Sequence, residues 1–293
     1  GFVNSLGEVM GSSIFKHQSL VKLLLGIFLV VFNYKALADG YRILLSNDDG
    51  IESPLLEFLK IELETIPDAE VVVSAPLENQ SGSSQASESG RLEVIRVEKD
   101  GKFFGVAVDG KPATAVRYGL RVLGKNDPFD LVVTGINRGA NVGNVSHLSG
   151  TVGAAMEGLY NGIPAIAVSG AFPTTNEAAA ANVVKQLIVH YRDSGAPEGT
   201  VISVNVPGGE LKGVVARPMG ESYIASAGYD VIEIVGDTTV YDAKRRLANA
   251  TDPVNDTYAY QQGYITLTPL KFDWTDYQIL DQLDHWGVEL EPK

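Results

Sequence analysis

The sequence predicts an α/β protein: a Rossmann-like, doubly wound, mostly parallel sheet with a C-terminal β-hairpin or arm extension. Three observations carry this. Short apolar runs such as YRILLS (residues 41–46), VVVSA (71–75) and DLVVT (130–134) end in turn residues, as buried strands do. Segments of helical pattern separate them, which makes βαβ units and therefore a parallel sheet. Beyond about residue 208 the alternation loosens into strand-like runs.

The elements follow in order. Residues 41–46 are the first strand. Residues 54–65 are the first helix, with Leu55, Leu56, Phe58, Leu59, Ile61 and Leu63 as its apolar positions. The second strand, 71–75, is stopped by Pro76. Residues 78–90 are polar and rich in Ser and Gly, and read as a loop. Strands at 92–97 and 103–108 precede a helix at 113–123. Then come a strand at 130–134, a helix at 149–161, a strand at 165–169, an Ala-rich helix at 176–191 and a strand at 201–206. Runs at 214–217, 231–235 and 264–269 are expected in the extension, and an amphipathic last helix at 277–285. One domain is expected over 39–293, with its core at about 41–207 and its extension at about 208–293.

Residues 1–38 read as a secretory signal peptide with an upstream extension. Lys16 and Lys22 precede an apolar run at 23–32, and Ala36-Leu37-Ala38 places small residues where a signal peptidase inspects. The run is too short to span a bilayer comfortably. Cleavage after Ala38, a periplasmic mature protein and no stable membrane insertion are expected. A buried or membrane-anchoring helix, and a cytoplasmic location, are the alternatives. Met10 is a candidate start, with residues 1–9 upstream of it.

A formal charge of −13 argues against a nucleic-acid polymer or an anionic membrane as partner. It leaves room for a small phosphate held by a metal and by backbone N–H groups. There is no cysteine, so disulfides, thiolate metal sites and a Cys nucleophile are excluded.

In open parallel sheets ligands bind outside the carboxyl ends of the strands. The first strand ends in Ser46-Asn47-Asp48-Asp49-Gly50. Two adjacent carboxylates repel unless a positive charge lies between them, and hard divalent cations take such oxygen ligands. Asn, Asp and Gly are also the commonest turn residues, so the motif alone reads equally as an exposed turn. After the second strand, Asn79-Gln80-Ser81-Gly82-Ser83-Ser84 offers hydroxyls and amides, or a plain linker. The strand at 130–134 is followed by Gly135-Ile136-Asn137-Arg138-Gly139-Ala140-Asn141-Val142-Gly143. Ser149-Gly150-Thr151 then opens a helix, which is both an N-cap and an anion site. Three successive strand ends thus deliver acid, hydroxyl and amide groups to one sheet edge.

Absences narrow the reading. There is no Walker loop, no G-x-G-x-x-G after the first strand and no G-x-S-x-G elbow. His17, His147, His190 and His285 are not paired at metal-ligand spacing; only His147 lies near the candidate loops.

RILLSNDDGI (42–51), VVVSAPLENQSGSS (71–84), DLVVTGINRGANVGN (130–144), LSGTVGAAMEGLYNGIPAIAVS (148–169) and GYITLTPL (263–270) resemble, in order, the motifs of the SurE family of survival-protein nucleotidases. The resemblance implies a metal-dependent phosphomonoesterase acting on nucleoside 5′- and 3′-monophosphates, in some members also on polyphosphate or general phosphomonoesters. It implies a homodimer or homotetramer that exchanges a C-terminal arm. It places metal ligands at Asp48, Asp49, Ser81 and Asn137, and phosphate-pocket residues at Asn79, Asn141, Ser149, Gly150 and Thr151. Asp256 aligns with an acidic residue before the last motif. Residues 51–56 (IESPLL) depart from the family's Ala-Pro-Gly, and VDGKPAT (108–114) from its Gly-Thr-Pro.

The expected cofactor is one divalent ion, Mg²⁺ or Mn²⁺, and Asp48, Asp49, Asn141 and Ser149 are the expected catalytic groups, with Asp49 as ligand and as base both open. The rival expectation is a non-catalytic exported protein that captures nucleotides or phosphate on the same loops.

Overall fold

The computed structural model describes residues 40–221 and 223–289; the expected signal segment and its cleavage site after Ala38 lie outside the described residues. The elements are β1 (Tyr41–Ser46), α1 (Pro54–Leu63), β2 (Ala69–Pro76), β3 (Val94–Lys99), β4 (Lys102–Val108), α2 (Pro112–Tyr118) and β5 (Leu131–Arg138). Then come α3 (Gly150–Tyr160), β6 (Ala165–Gly170), α4 (Glu177–Ser194), β7 (Thr200–Val206) and β8 (Val214–Ala216). The chain finishes with β9 (Ile224–Val235), β10 (Thr238–Leu247), α5 (Asp256–Gln261), β11 (Ile265–Lys271) and α6 (Tyr277–Leu283).

Among the described residues one sheet has nine strands in the order β3-β4-β2-β1-β5-β6-β7-β11-β8. β4 pairs parallel with β2, β1 with β5, β5 with β6 and β6 with β7. β3 runs antiparallel on β4, and β11 runs antiparallel to β7 and parallel to β8. The chain moves outward from β1 through β2 to β4, then returns to place β5 on the other side of β1. The strand order therefore reverses between β1 and β5, which is where doubly wound sheets open a ligand crevice.

The central strands are apolar along their length because helices cover both faces. Ile43, Leu44 and Leu45 of β1, Leu131, Val132 and Val133 of β5, and Ile166 and Val168 of β6 are all fully buried. α1 buries Leu56, Leu59 and Leu63, one helical stripe. Each such side chain contributes about 1.5–3 kcal/mol by burial, and truncating Leu59 to Ala costs about 2–5 kcal/mol. α3 is buried along most of its length, and its small residues Gly153, Ala154 and Ala155 bring it close to its neighbours. Glu157 of α3 is 1 % exposed and takes Arg117 of α2 through two bonds, 2.7 and 3.1 Å, so a buried charge joins the helices with its partner in place.

The expected α/β class and C-terminal hairpin are observed, with four differences of detail. The strand expected at 130–134 continues to Arg138. Its register against β6 skips between Thr134 and Asn137, a bulge at Gly135, whose φ of +129° and contact with the Val168 carbonyl leave no room for a side chain. The helix expected at 113–123 is α-helical only to Tyr118 and finishes as a π-helical turn, Gly119–Leu123. The strand expected at 231–235 is half of a long hairpin, and its mate β10 (TTVYDAKRRL) is too polar to carry a burial pattern. α5 has no counterpart among the expected helices; its six residues are too few for a periodic signal.

Candidate active site

The chain turns sharply after β1. Gly50 has φ +102°, the left-handed region that favours glycine, and a Cβ there would press on the Glu78 backbone at 3.2 Å. Asn47 Nδ2 donates to the Gly50 carbonyl at 2.8 Å and closes the turn. The loop is joined to the one after β2: the Ile51 N–H donates to Pro76 O at 2.8 Å and the Gln80 N–H to Asp48 O at 2.7 Å. Asn47 and Asp48 are buried, so the motif is not an exposed turn.

Asp48 is 2 % exposed. Its Oδ1 accepts the Thr151 hydroxyl at 2.5 Å. Thr151 lies in the first turn of α3, whose N-cap Ser149 accepts the Val152 N–H at 3.1 Å. A Cβ on Gly150 would stand 2.7 Å from Ser83 Oγ and 2.8 Å from Asp48 Cβ, so glycine is what lets the helix terminus descend onto the acid. Burial pushes the Asp48 carboxyl up to about 6; the Thr151 hydroxyl opposes the rise and the Asp49 charge adds to it.

Asp49 is half-buried. Its Oδ1 accepts Asn79 Nδ2 at 3.1 Å and its Oδ2 accepts the Arg138 N–H at 2.9 Å. Burial raises its pKa, and the Arg138 N–H and guanidinium pull it back. Neither carboxylate forms a salt bridge among the described residues.

Two neighbouring acids without a paired cation, beneath a helix N-terminus, fit an added divalent ion, because a buried charge is costly until it is paired. The buried oxygens Ser46 Oγ, Asn47 Oδ1 and Ser83 Oγ also lack hydrogen-bond partners. Among the described residues no group of three or more His, Cys, Asp or Glu side chains is placed to hold a metal. A cation here has two carboxylates available and must complete its shell from hydroxyl, amide and water oxygens.

The other predicted residues divide in two. Asn79 bridges the loops, since it donates to Asp49 while its Oδ1 accepts the Ser81 N–H at 3.0 Å. Ser81 itself is exposed. Asn137 is buried at the end of β5, next to Arg138, and its Nδ2 donates to Gly139 O at 2.7 Å. Asn141 is engaged elsewhere: its N–H donates to Asn205 Oδ1 at 2.7 Å and its Nδ2 to Ser169 Oγ at 2.8 Å, at the carboxyl ends of β7 and β6. His147 is exposed, with its ring edge-on to Trp274 at 6.1 Å.

Three contributors lie inside the motifs the sequence marks, where their residue type alone assigns them no individual role. Arg138 holds Asp49 through its backbone, Ser83 packs against Gly150, and Asn47 braces the turn. Asn205 and Ser169 were visible only as polar residues closing apolar strands, VISVNV and AIAVSG. A cavity of about 450 Å³ opens beside Asp49, with Pro54, Leu77, Glu52, Glu78 and Arg138 in its lining.

Residues 43–226 match the family model "Survival protein SurE". The chain belongs to the SurE family. A relative described as 5′-nucleotidase SurE, from Symbiobacterium thermophilum, is 36 % identical over 252 residues, 84 % of this chain and 98 % of the relative. One with the same description from Pseudoalteromonas atlantica is 36 % identical over 253 residues, 85 % of this chain and all of the relative. The crystal structure of the SurE protein from Aquifex aeolicus superposes with a TM-score of 0.72 at 31 % identity, covering 83 % of this chain and 98 % of that one. In this SurE chain the matched segment contains the acid loop, the Asn79 loop and the N-terminus of α3.

Proposed function

We propose that this chain is a divalent-metal-dependent phosphatase that hydrolyses nucleoside 5′-monophosphates, and 3′-monophosphates, to nucleoside and phosphate. The observation that carries this reading is the unpaired Asp48–Asp49 couple at the reversal of strand order, capped by the N-terminus of α3. The relatives' description as 5′-nucleotidases supports the substrate class.

Asp48 and Asp49, with Ser81 and Asn137, are the residues proposed to hold one Mg²⁺ or Mn²⁺. Held there, the ion supplies Lewis-acid neutralisation of phosphoryl charge and acidification of water. The chain's own residues do the rest. Thr151 fixes the Asp48 carboxylate, and Asn79 with the Arg138 N–H fixes that of Asp49. The first-turn N–H groups of α3, with Ser149, Gly150 and Thr151, form the anion cradle for the phosphoryl oxygens, where charge develops. Asn141, held from the β6–β7 side by Asn205 and Ser169, is the further group proposed for the phosphate pocket. The water oxygen bonds to phosphorus, the bond from phosphorus to the ribose oxygen breaks, and the proton the water gives up balances the one that the ribose oxygen takes.

The hairpin supports a homodimer or homotetramer. β9 and β10 form their own two-stranded sheet and leave Tyr229, Ile232, Ile234 and Leu247 more than half exposed, an apolar display that a second chain covers. No helix among the described residues is long and apolar enough to cross a membrane. The leader pattern at residues 16–38 supports export to the periplasm.

Purified protein incubated with a panel of monophosphates and Mn²⁺, with and without EDTA, is the test. EDTA-sensitive phosphate release is expected. No release from any monophosphate would leave a nucleotide-binding protein as the better reading.

A further inference from the structure

The loop after β2 turns one hydroxyl into the protein. Gly82 and Ser84, on either side of Ser83, both lie in the left-handed region, with φ of +80° and +53°. For Ser84 that backbone state is uncommon, and two bonds to the segment before α3 hold it there. Its N–H donates to Leu148 O at 3.2 Å and its hydroxyl to His147 O at 2.7 Å. Ser83 Oγ is buried and has no hydrogen-bond partner. A Cβ on Gly150 would stand 2.7 Å from that oxygen and 3.0 Å from Asp48 Oδ2, so hydroxyl and carboxylate flank one point at the first residue of α3. The other Asp48 oxygen is taken by Thr151. A buried hydroxyl left without an acceptor is destabilising, and at a helix N-terminus the acceptor that fits is an anion.

We propose that Ser83 is a substrate-binding residue whose hydroxyl donates to a phosphoryl oxygen held at the N-terminus of α3. The inference rests on the phosphatase reading above and adds to its anion cradle a side-chain donor from the loop after β2. Without phosphate the hydroxyl is an orphan; with phosphate it is paired. Ser83 therefore contributes to ligand affinity and not to the stability of the empty fold. That separates this role from a packing role, in which truncating the side chain weakens the fold whether or not ligand is present.

The experiment compares the full chain with its Ser83→Ala variant. It reads the melting temperature without metal or phosphate, the shift on adding Mg²⁺ alone, the Kd for inorganic phosphate at fixed free Mg²⁺, and kcat/KM for AMP. The empty variant is expected to melt at or above the parent, because the orphan hydroxyl is gone. The Mg²⁺ shift should be the same in both proteins. The Kd for phosphate should rise, and kcat/KM for AMP should fall, by about tenfold, the scale of one hydrogen bond to a charged group. A phosphate Kd equal to that of the parent overturns the proposal. So does loss of the Mg²⁺ shift, which would make Ser83 a metal ligand instead. A parent that binds phosphate but releases none from AMP overturns the phosphatase reading, and the phosphate Kd of the two proteins still decides the role of Ser83. A parent that binds no phosphate overturns both.

Discussion

Thr151 Oγ1 donates to Asp48 Oδ1 at 2.5 Å and joins two residues 103 positions apart, across the point where the sheet reverses its strand order. The bond makes the acid loop and the start of α3 one unit. It also puts the positive end of a helix over a carboxylate, where the helix dipole favours charge.

Replacing Thr151 with Val tests that unit. The side chain keeps its shape and loses the donor, which leaves a buried carboxylate oxygen unpaired at a cost of about 1–3 kcal/mol. Urea unfolding should show the loss, and Thr151→Ser should recover most of it. A Val variant as stable as the parent would mean the bond contributes nothing net.

The raised pKa of Asp48 predicts a pH dependence for the metal-free protein. Between 3.8 and about 6 the folded chain holds a proton that the unfolded chain releases. The resulting stabilisation is complete below 3.8 and is lost as pH rises through 6, about 3 kcal/mol for two units at ~1.4 kcal/mol each. In EDTA, the difference in melting between pH 5 and pH 7.5 should therefore be smaller for Asp48→Asn than for the parent. Mn²⁺ should restabilise the parent at pH 7.5 and not the variant, because the ion replaces the proton. Parallel pH profiles for the two proteins would contradict the assignment.

The close approach of α3 predicts a graded response to added methyl groups. Gly150→Ala places Cβ 2.7 Å from Ser83 Oγ and 2.8 Å from Asp48 Cβ, both side-chain atoms that can give by a rotation or a small shift. Gly153→Ala places it on the Ser84 carbonyl, which is backbone and cannot easily move. Overpacking of this kind costs about 1–3 kcal/mol, and Gly153→Ala should fall at or beyond the upper end. Thermal melts rank the two, and the reverse order would count against the packing described.

Much of this arrangement is legible in the chain, and its limits are physical. NDDG after YRILLS and SGT before a helix pattern mark strand and helix ends, so their meeting at one sheet edge follows from parallel topology. Whether Asp48 is exposed is not written in the chain, because the Gln80 and Ile51 backbone bonds that join its loop to the next leave no side-chain pattern. The part played by Arg138 is not legible, because its contribution to Asp49 is a backbone N–H that any residue carries. The bonds that hold Asn141, from its Nδ2 to Ser169 and from its N–H to Asn205, reach 28 and 64 positions along the chain and leave no local pattern. β10 escaped because an exposed hairpin has no buried face to print an alternation.

Asp256 carries the last structural prediction. It is buried and accepts the N–H groups of Gly143 (3.0 Å), Gly220 (2.7 Å) and Thr257 (2.7 Å) and the Thr268 hydroxyl (3.1 Å). It thereby ties the C-terminal segment to the loop that leads into α3. Asp256→Ala orphans several buried donors, a cost of about 3 kcal/mol or more, and Asp256→Asn should cost less because one acceptor oxygen remains. Denaturant midpoints compare them, with equal midpoints as the contrary result.

The most direct test of the metal-held acid pair is phosphate release from AMP by Asp48→Asn at saturating Mn²⁺. The variant keeps the size of the side chain and an oxygen for Thr151, and removes only charge. A fall in turnover of about 10²-fold or more is expected, the scale of losing a preorganised charged group. Turnover equal to that of the parent, with metal present, would contradict the account.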